Sequence, residues 1–379
     1  MDSSATSSIY EQLGVRPVIN ARGFNTVVGG GTPSPRMKEA MERMERYYVD
    51  MKDLLEKTGQ IIARLLGAEA AYVTPGAAAA LTLGAAACIT GDDIEKMARL
   101  PDTAGIKNKV VIQANQTYQY DRSVTIVGTT LVEVGDQTGA TAAQLESALT
   151  GDVACVLYPA HLDQVAGALP LARVLEIAHA KGVPVMVDAA AQVYPLERML
   201  SFPRMGADLV AYSVKYMGGP NSSGILCGKK ELIDAAVPQG FIGFETVTNR
   251  KGFGRPLKLD RQEIVAAMVC LQEWLETDHE RRAADLERRI AGWTRQLEGL
   301  PGVGLELLKR PGSAPRVLRL SVDSASARRS ADDLFQGLRD GKPAIFCNRD
   351  QSGALLLNPA PVHERDVELV GQRLRALLS

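Results

Sequence analysis

Between residues 69 and 228, short β-branched apolar runs alternate with stretches of helical periodicity. The runs fall at 71–74, 109–113, 131–134, 153–157, 184–187, 208–212 and 224–227. Strands recurring at helix-length intervals predict an α/β layer structure, a mainly parallel seven-stranded sheet wrapped by helices. Ahead of it, Ser34 is a favourable N-cap for a helical run toward Leu66, and Gly67 suits the left-handed position that ends one. Residues 260–298 carry a long, charged, amphipathic helical pattern without proline, breakable at Thr277-Asp278, which reads as a connector. Beyond it the pattern predicts strands at 316–322, 344–347 and 354–357 and helices at 330–339 and 363–378, with Gly312 and Pro315 in turns, hence a small α+β domain. The expected organisation is an N-terminal arm at 1–30, a large domain at 31–255, and a connecting helix with a small C-terminal domain at 256–379.

Composition narrows the class. The 379 residues are 46% hydrophobic, enough for a large core in two domains. A net charge of −1 gives no basic field for neutralising phosphates, which argues against a nucleic-acid partner. Cys88, Cys155, Cys227, Cys270 and Cys347 are scattered, with no Cys-x-x-Cys pair and no His-x-x-x-His. Neither a metal site nor a disulfide framework is expected, and a reducing cytoplasm fits best. Residues 1–8 are short, polar and serine-rich, unlike a signal peptide, and the Ala-rich run 77–90 is too short to span a bilayer, so no membrane role is expected.

Two charges stand just past apolar runs. Asp188 closes Val-Pro-Val-Met-Val-Asp, and Lys215 follows Asp-Leu-Val-Ala-Tyr-Ser-Val. The carboxyl edge of an open α/β sheet is where ligands bind. A carboxylate there can keep a pyridinium nitrogen protonated, and a lysine can form an imine with an aldehyde. These are the two protein groups that pyridoxal 5′-phosphate (PLP) chemistry needs. Taken singly, Asp188 reads equally well as a helix cap and Lys215 as a solvated loop lysine. A third signal is Tyr-Val-Thr-Pro-Gly-Ala-Ala-Ala-Ala at 72–80, a strand that turns through Gly76 into a helix of small residues. An anion can approach the amides of such a helix start, so Thr74, Gly76, Ala77 and Ala78 form an expected phosphate cup, to which Ser213 adds a hydroxyl. The plainer account is an alanine helix packed on the sheet. The run Lys215-Tyr-Met-Gly-Gly-Pro-Asn-Ser-Ser-Gly permits close backbone approach to a ligand before the chain re-enters the sheet, and otherwise reads as an ordinary turn.

Together these residues resemble the family that includes bacterial selenocysteine synthase (L-seryl-tRNA selenium transferase) and D-glucosaminate-6-phosphate ammonia-lyase. The resemblance covers nearly the whole chain. It is carried by Pro-Val-Ile-Asn-Ala-Arg-Gly at 17–23, Thr-Pro-Gly-Ala-Ala at 74–78, Val-Asp at 187–188, Ser-Val-Lys-Tyr-Met-Gly-Gly-Pro at 213–220, Gly-Arg-Pro-Leu-Lys at 254–258 and Leu-Leu-Asn-Pro at 356–359. It implies PLP fold type I, the aspartate-aminotransferase-like fold, with PLP bound through Lys215 and its pyridine nitrogen paired with Asp188. It also implies a homodimer or larger assembly of dimers with shared active sites. One departure stands out. Where relatives resembling the ammonia-lyase carry a His-Arg pair, this chain has Gln116-Thr117. Cover of the cofactor face is then expected from the Gln116 amide plane or from Tyr118, and the missing arginine speaks against a phosphorylated substrate. No added N-terminal domain for tRNA is present, so a tRNA-dependent reaction is not expected.

A substrate carboxylate calls for guanidinium groups. The candidates are Arg22 beside Asn20, Arg255 with Lys258 nearby, and Arg349, each of which reads otherwise as a surface ion pair. Tyr118 and His161 are further candidates to face the substrate. With Lys215 as base at the substrate Cα, the resemblance favours α,β-elimination with ammonia release from a hydroxy-amino acid or amino-sugar acid. The alternatives are an amino-acid racemase or epimerase, which needs a second base such as Tyr118, Tyr120 or His161, a PLP-dependent transferase or aldolase, and a binding module on a degenerate PLP fold.

Overall fold

The structure, a computed structural model, describes residues 9–243, 245–246, 252–308, 317–327 and 329–379. The turns expected at Gly312 and Pro315, and Arg316 at the head of its strand, lie outside the described residues. The strands are β1 (Val18–Asn20), β2 (Ala70–Thr74), β3 (Lys109–Gln113), β4 (Thr130–Val134), β5 (Val153–Pro159), β6 (Val185–Asp188), β7 (Leu209–Ser213), β8 (Gly224–Gly228), β9 (Val303–Leu308), β10 (Val317–Val322), β11 (Ala344–Phe346), β12 (Asn348–Arg349) and β13 (Leu355–Leu357). Two compact units result, Gly31–Glu276 and Met1–Gly30 with Thr277–Ser379.

In the larger unit, β2 to β8 form one seven-stranded sheet in the order β2-β8-β7-β6-β5-β3-β4. All neighbours run parallel except β8, which is antiparallel to both β2 and β7. All seven predicted runs are strands of this sheet, displaced by no more than a residue or two at their ends. Every residue of β5, β6, β7 and β8 is buried, as expected of strands covered on both faces. The helix Gly76–Thr90 is buried nearly all round. Its small residues allow that depth: a Cβ added at Gly84 would stand 2.6 Å from Met186 Sδ. At the amino-terminal edge of the sheet, the buried Asp208 carboxylate is paired with Lys229 Nζ at 2.7 Å and His179 Nε2 at 2.8 Å, and accepts from Val185 N at 2.7 Å.

The helical run expected from Ser34 to Leu66 is two helices, Pro35–Glu45 and Met51–Leu66. Tyr47, Tyr48 and Val49 are poor helix formers, and Asp50 behind them starts a new helix by accepting from Lys52 N and Asp53 N at 2.8 and 3.3 Å. Ser34 caps the first helix through Met37 N, and Gly67 ends the second at φ 70.

The smaller unit holds a four-stranded antiparallel sheet, β12-β13-β10-β9, and a parallel pair, β1 with β11. The long pattern at 260–298 breaks at Thr277-Asp278 into Arg261–Glu276 and His279–Leu297, with Asp278 accepting from Arg281 N at 2.9 Å. The division between units therefore falls at this break, where 255/256 was expected. The β1 to β11 pairing places the early residues with the C-terminal ones, where a separate arm was expected. Trp293, fully buried in this unit's core, donates to Val367 O at 2.7 Å. Removing the cap with Asp278→Ala is expected to lower stability by about 1 kcal/mol, with Asp278→Ser restoring most of it. Paired thermal melts check this.

Candidate active site

The carboxyl edge of the sheet brings together most of the residues singled out in the larger unit. Asp188 ends β6 beside Ala211 of β7, and Lys215 lies two residues beyond the end of β7. Thr74, Gly224 and Ser213 lie in one row across β2, β8 and β7. The turn carrying His161 follows β5 directly.

Lys215 is half-buried in the short turn Val214–Met217, with its Nζ 5.3 Å from the Tyr216 ring centre. Desolvation pulls its amine below the ordinary 10.5. The turn is held tightly: a Cβ at Gly219 would stand 2.4 Å from Val214 Cγ1 and 2.8 Å from Cys270 Sγ. Asp188 is 4% exposed. Its Oδ1 accepts from Ala190 N at 3.0 Å and its Oδ2 from the Tyr118 hydroxyl at 2.5 Å. Among the described residues Asp188 makes no ion pair, unlike Asp208, so this buried carboxylate has only neutral donors. Burial first, then the charge of Asp188, raises the Tyr118 phenol above its ordinary range and keeps it protonated. His161 meets the edge of the Tyr118 ring at 5.0 Å. Desolvation holds its imidazole below 6.5, opposed by Asp188 and Asp163.

The cup is open and uncapped. Pro75 gives the helix Gly76–Thr90 no side-chain cap, Gly76 sits at φ 87, and a Cβ there would meet nothing within 4 Å. Behind it, a Cβ at Gly224 would stand 2.4 Å from Gly76 C and 2.7 Å from Ala77 N. Thr74 is buried and donates to Gly76 O at 3.0 Å, which shapes the turn. Ala77 is buried, Ala78 exposed, and Ser213 buried at the strand end. A cationless buried carboxylate, a desolvated lysine on the next strand and an uncapped helix start with room above its glycine suit the ring nitrogen, aldehyde and phosphate of PLP.

Gln116 does not take the place expected of it. It is fully buried, with Oε1 accepting from Gln113 Nε2 at 2.9 Å and Nε2 donating to Leu162 O at 3.1 Å, so its amide plane offers no face to a ring. Tyr118, by contrast, reaches Asp188 through its hydroxyl. Tyr120 is exposed. Arg255 donates to Phe241 O at 3.0 Å and pairs with Glu245 at 3.3 Å, and Lys258 is exposed. In the smaller unit, Asn20 Oδ1 accepts from Arg22 N at 2.9 Å, and Arg22 O accepts from Asn348 Nδ2 at 2.7 Å. Arg22 Nε is buried without a hydrogen-bond partner among the described residues. Arg349 is committed to Asp332 at 2.5 Å, to Gly353 O at 3.0 Å and to the Phe335 ring.

One clamp had no signal in the sequence. Arg198 Nη2 donates to Asp163 at 2.7 Å and to Ala160 O at 2.9 Å, while its Nε donates to Gln192 at 2.9 Å. It ties the His161 turn to the segment after Asp188. Asp163 lies 35 residues from Arg198 and all of these are residue types common on surfaces, so only the fold reveals the clamp.

This fold and edge are those of PLP fold type I, and the chain is a PLP-dependent enzyme. It belongs to the aminotransferase class-V family, whose model matches residues 33–312. It is 30% identical to D-glucosaminate-6-phosphate ammonia lyase of Salmonella typhimurium, over 98% of both chains. A solved structure of a D-glucosaminate-6-phosphate ammonia-lyase superposes with a TM-score of 0.84 at 30% identity, covering 98% of each chain. It is also 32% identical to 5′-C-glycyluridine monooxygenase-decarboxylase of a Streptomyces species, over 97% of this chain and 92% of that one. The resemblance read from the motifs is borne out. Among the described residues no helix is long and apolar enough to cross a membrane.

Gly224→Ala is expected to push the Gly76-Ala77 backbone out of place, costing about 1–3 kcal/mol and weakening PLP retention. Urea melts and absorbance after dialysis read the two effects separately.

Proposed function

We propose that the protein is a PLP-dependent lyase that eliminates a β-substituent and then ammonia from a hydroxy-amino acid or amino-sugar acid. The observation that carries this reading is the buried Asp188 carboxylate, without a cation among the described residues, one strand from the desolvated Lys215. The 30% identical ammonia lyase supports the reaction class. Bound PLP supplies an electron sink for the bond broken at the substrate Cα.

In this reading Lys215 holds the cofactor and, once displaced by the incoming amine, takes the Cα proton on its Nζ. Its lowered pKa supports that role, because more of the amine is neutral at working pH. Asp188 holds a proton on the ring nitrogen. The uncapped amides of Gly76, Ala77 and Ala78, with Thr74 and Ser213 at the adjoining strand ends, bind the phosphate. His161, held by the Arg198 clamp, and Tyr118 line the side away from the cup. Arg22 is the proposed grip on the substrate carboxylate, supported by its buried, unpartnered Nε, with Asn20 shaping its turn. Arg255 is a second candidate grip. Arg349, paired as it is, is not carried forward.

A second reading is supported by the 32% identical monooxygenase-decarboxylase: oxygen-consuming decarboxylation at the same Cα. Racemisation is a third outcome, if His161 returns the proton. We also propose a cytoplasmic homodimer. Exposed Tyr47, Tyr48 and Val49 in the larger unit support the dimer, and five free, buried thiols support the reducing compartment. Sedimentation equilibrium is expected to give twice the chain mass.

Borohydride reduction followed by peptide mapping is expected to place a pyridoxyl group on Lys215; an adduct on Lys229 or Lys230 instead would sink the reading. A panel of D- and L-hydroxy-amino acids and amino-sugar acids should release keto acid with ammonia. Oxygen uptake with carbon dioxide marks the second reading, and solvent deuterium at Cα without keto acid marks the third. Arg22→Ala is expected to raise KM roughly 10- to 100-fold with a smaller change in kcat, the signature of a lost charge-assisted grip.

A further inference from the structure

Asp188 and Asp208 are both buried carboxylates at the ends of the same sheet, and they are treated differently. Asp208 has a lysine and a histidine from its own chain. Asp188 has two neutral donors, the Ala190 amide on Oδ1 and the Tyr118 hydroxyl on Oδ2. The amide is a fixture of the turn. The phenol is the stronger and optional one, because phenylalanine would fill the same space without it.

Tyr118 is held where it is. Its ring meets the edges of His161 at 5.0 Å and Tyr120 at 6.1 Å, and its backbone N–H donates to Asp121 at 3.3 Å. The His161 turn that packs against it is fixed in turn by Arg198 and by Gln116, which donates to Leu162 O. Gln116 also accepts from Gln113 Nε2 at 2.9 Å. It supports the wall behind Tyr118 from inside.

Two oxygens of a carboxylate offer about four lone-pair sites, so Asp188 can accept from a pyridinium N–H while keeping both present donors. Each donor already there takes up part of the charge that a pyridinium N–H would otherwise receive. We propose that Tyr118 is a positioning residue that shares Asp188 with the pyridine nitrogen and so weakens the carboxylate's hold on that nitrogen's proton. The proposal rests on the reading of Lys215 and Asp188 as the PLP site. A less strongly protonated ring is a weaker electron sink, which suits elimination, where electrons from Cα leave with the β-substituent instead of resting in the ring.

The experiment uses the full chain loaded with PLP carrying nitrogen-15 in its ring, with peptide mapping first confirming attachment at Lys215. In the wild type the ring-nitrogen resonance is expected between the pyridine and pyridinium limits. Tyr118→Phe, which keeps the ring and its edge contacts, is expected to move it toward the pyridinium limit and to slow PLP release on the order of tenfold, the equivalent of one pKa unit. Site-specific 3-fluorotyrosine at position 118, a stronger donor, is expected to move it the opposite way. A resonance unchanged in both variants, with PLP still on Lys215, overturns the inference and leaves the cofactor site standing. Attachment elsewhere overturns the reading beneath it. A change produced only by Tyr118→Leu, which also removes the ring, assigns Tyr118 to packing and overturns the proposal as well.

Discussion

The structure of the site depends on the cost of burying the charge of Asp188. A carboxylate taken out of water must be paired, protonated or strongly hydrogen-bonded. At Asp188 the described residues supply an amide and a phenol and no cation. The deficit sits at the end of a strand buried along its whole length, where the sheet holds the carboxylate rigidly. A flat cation accepted there would complete the pairing, held by that buried strand. The same logic explains why Lys215 sits on a turn braced by Gly219 and Cys270: a desolvated amine is useful only while its surroundings hold still.

Much of this was legible in the residues. The alternation of β-branched runs and helical stretches located all seven strands of the main sheet, because strands covered on both faces are continuous apolar runs with little ambiguity. Asp188, Lys215 and the Gly76 turn were legible for a related reason. Polar or flexible residues placed straight after such runs mark the ligand-binding edge. The helical pattern at 260–298 was legible too, with its break at Thr277-Asp278, though not the fact that the two units part there.

What was not legible depends on long-range contact. The parallel pairing of β1 with β11 joins residues from opposite ends of the chain. β9, a half-exposed strand, lacks a continuous apolar run. Gln116 looked available because its amide is polar, yet Gln113 and the Leu162 carbonyl draw it inward. Tyr118 was noticed for its ring, while its hydroxyl proved the more informative end. The Arg198 clamp on the His161 turn has no local pattern at all, since Asp163 lies 35 residues from Arg198 and meets it only once the crossover between β5 and β6 is in place.

The row Thr74, Gly224, Ser213 has a thermodynamic side. The proposed phosphate cup follows β2 and the lysine turn follows β7, with antiparallel β8 hydrogen-bonded between them. A ligand held at the cup and at Lys215 bridges strands far apart in sequence but one strand apart in space, so it acts as a cross-link over the middle of the sheet. Ligand binding to the folded state alone adds stability that grows with its concentration over its dissociation constant. The opening of β8 is then linked to occupancy, and the supply of the vitamin from which the cofactor is made becomes one of the determinants of how long the folded chain survives.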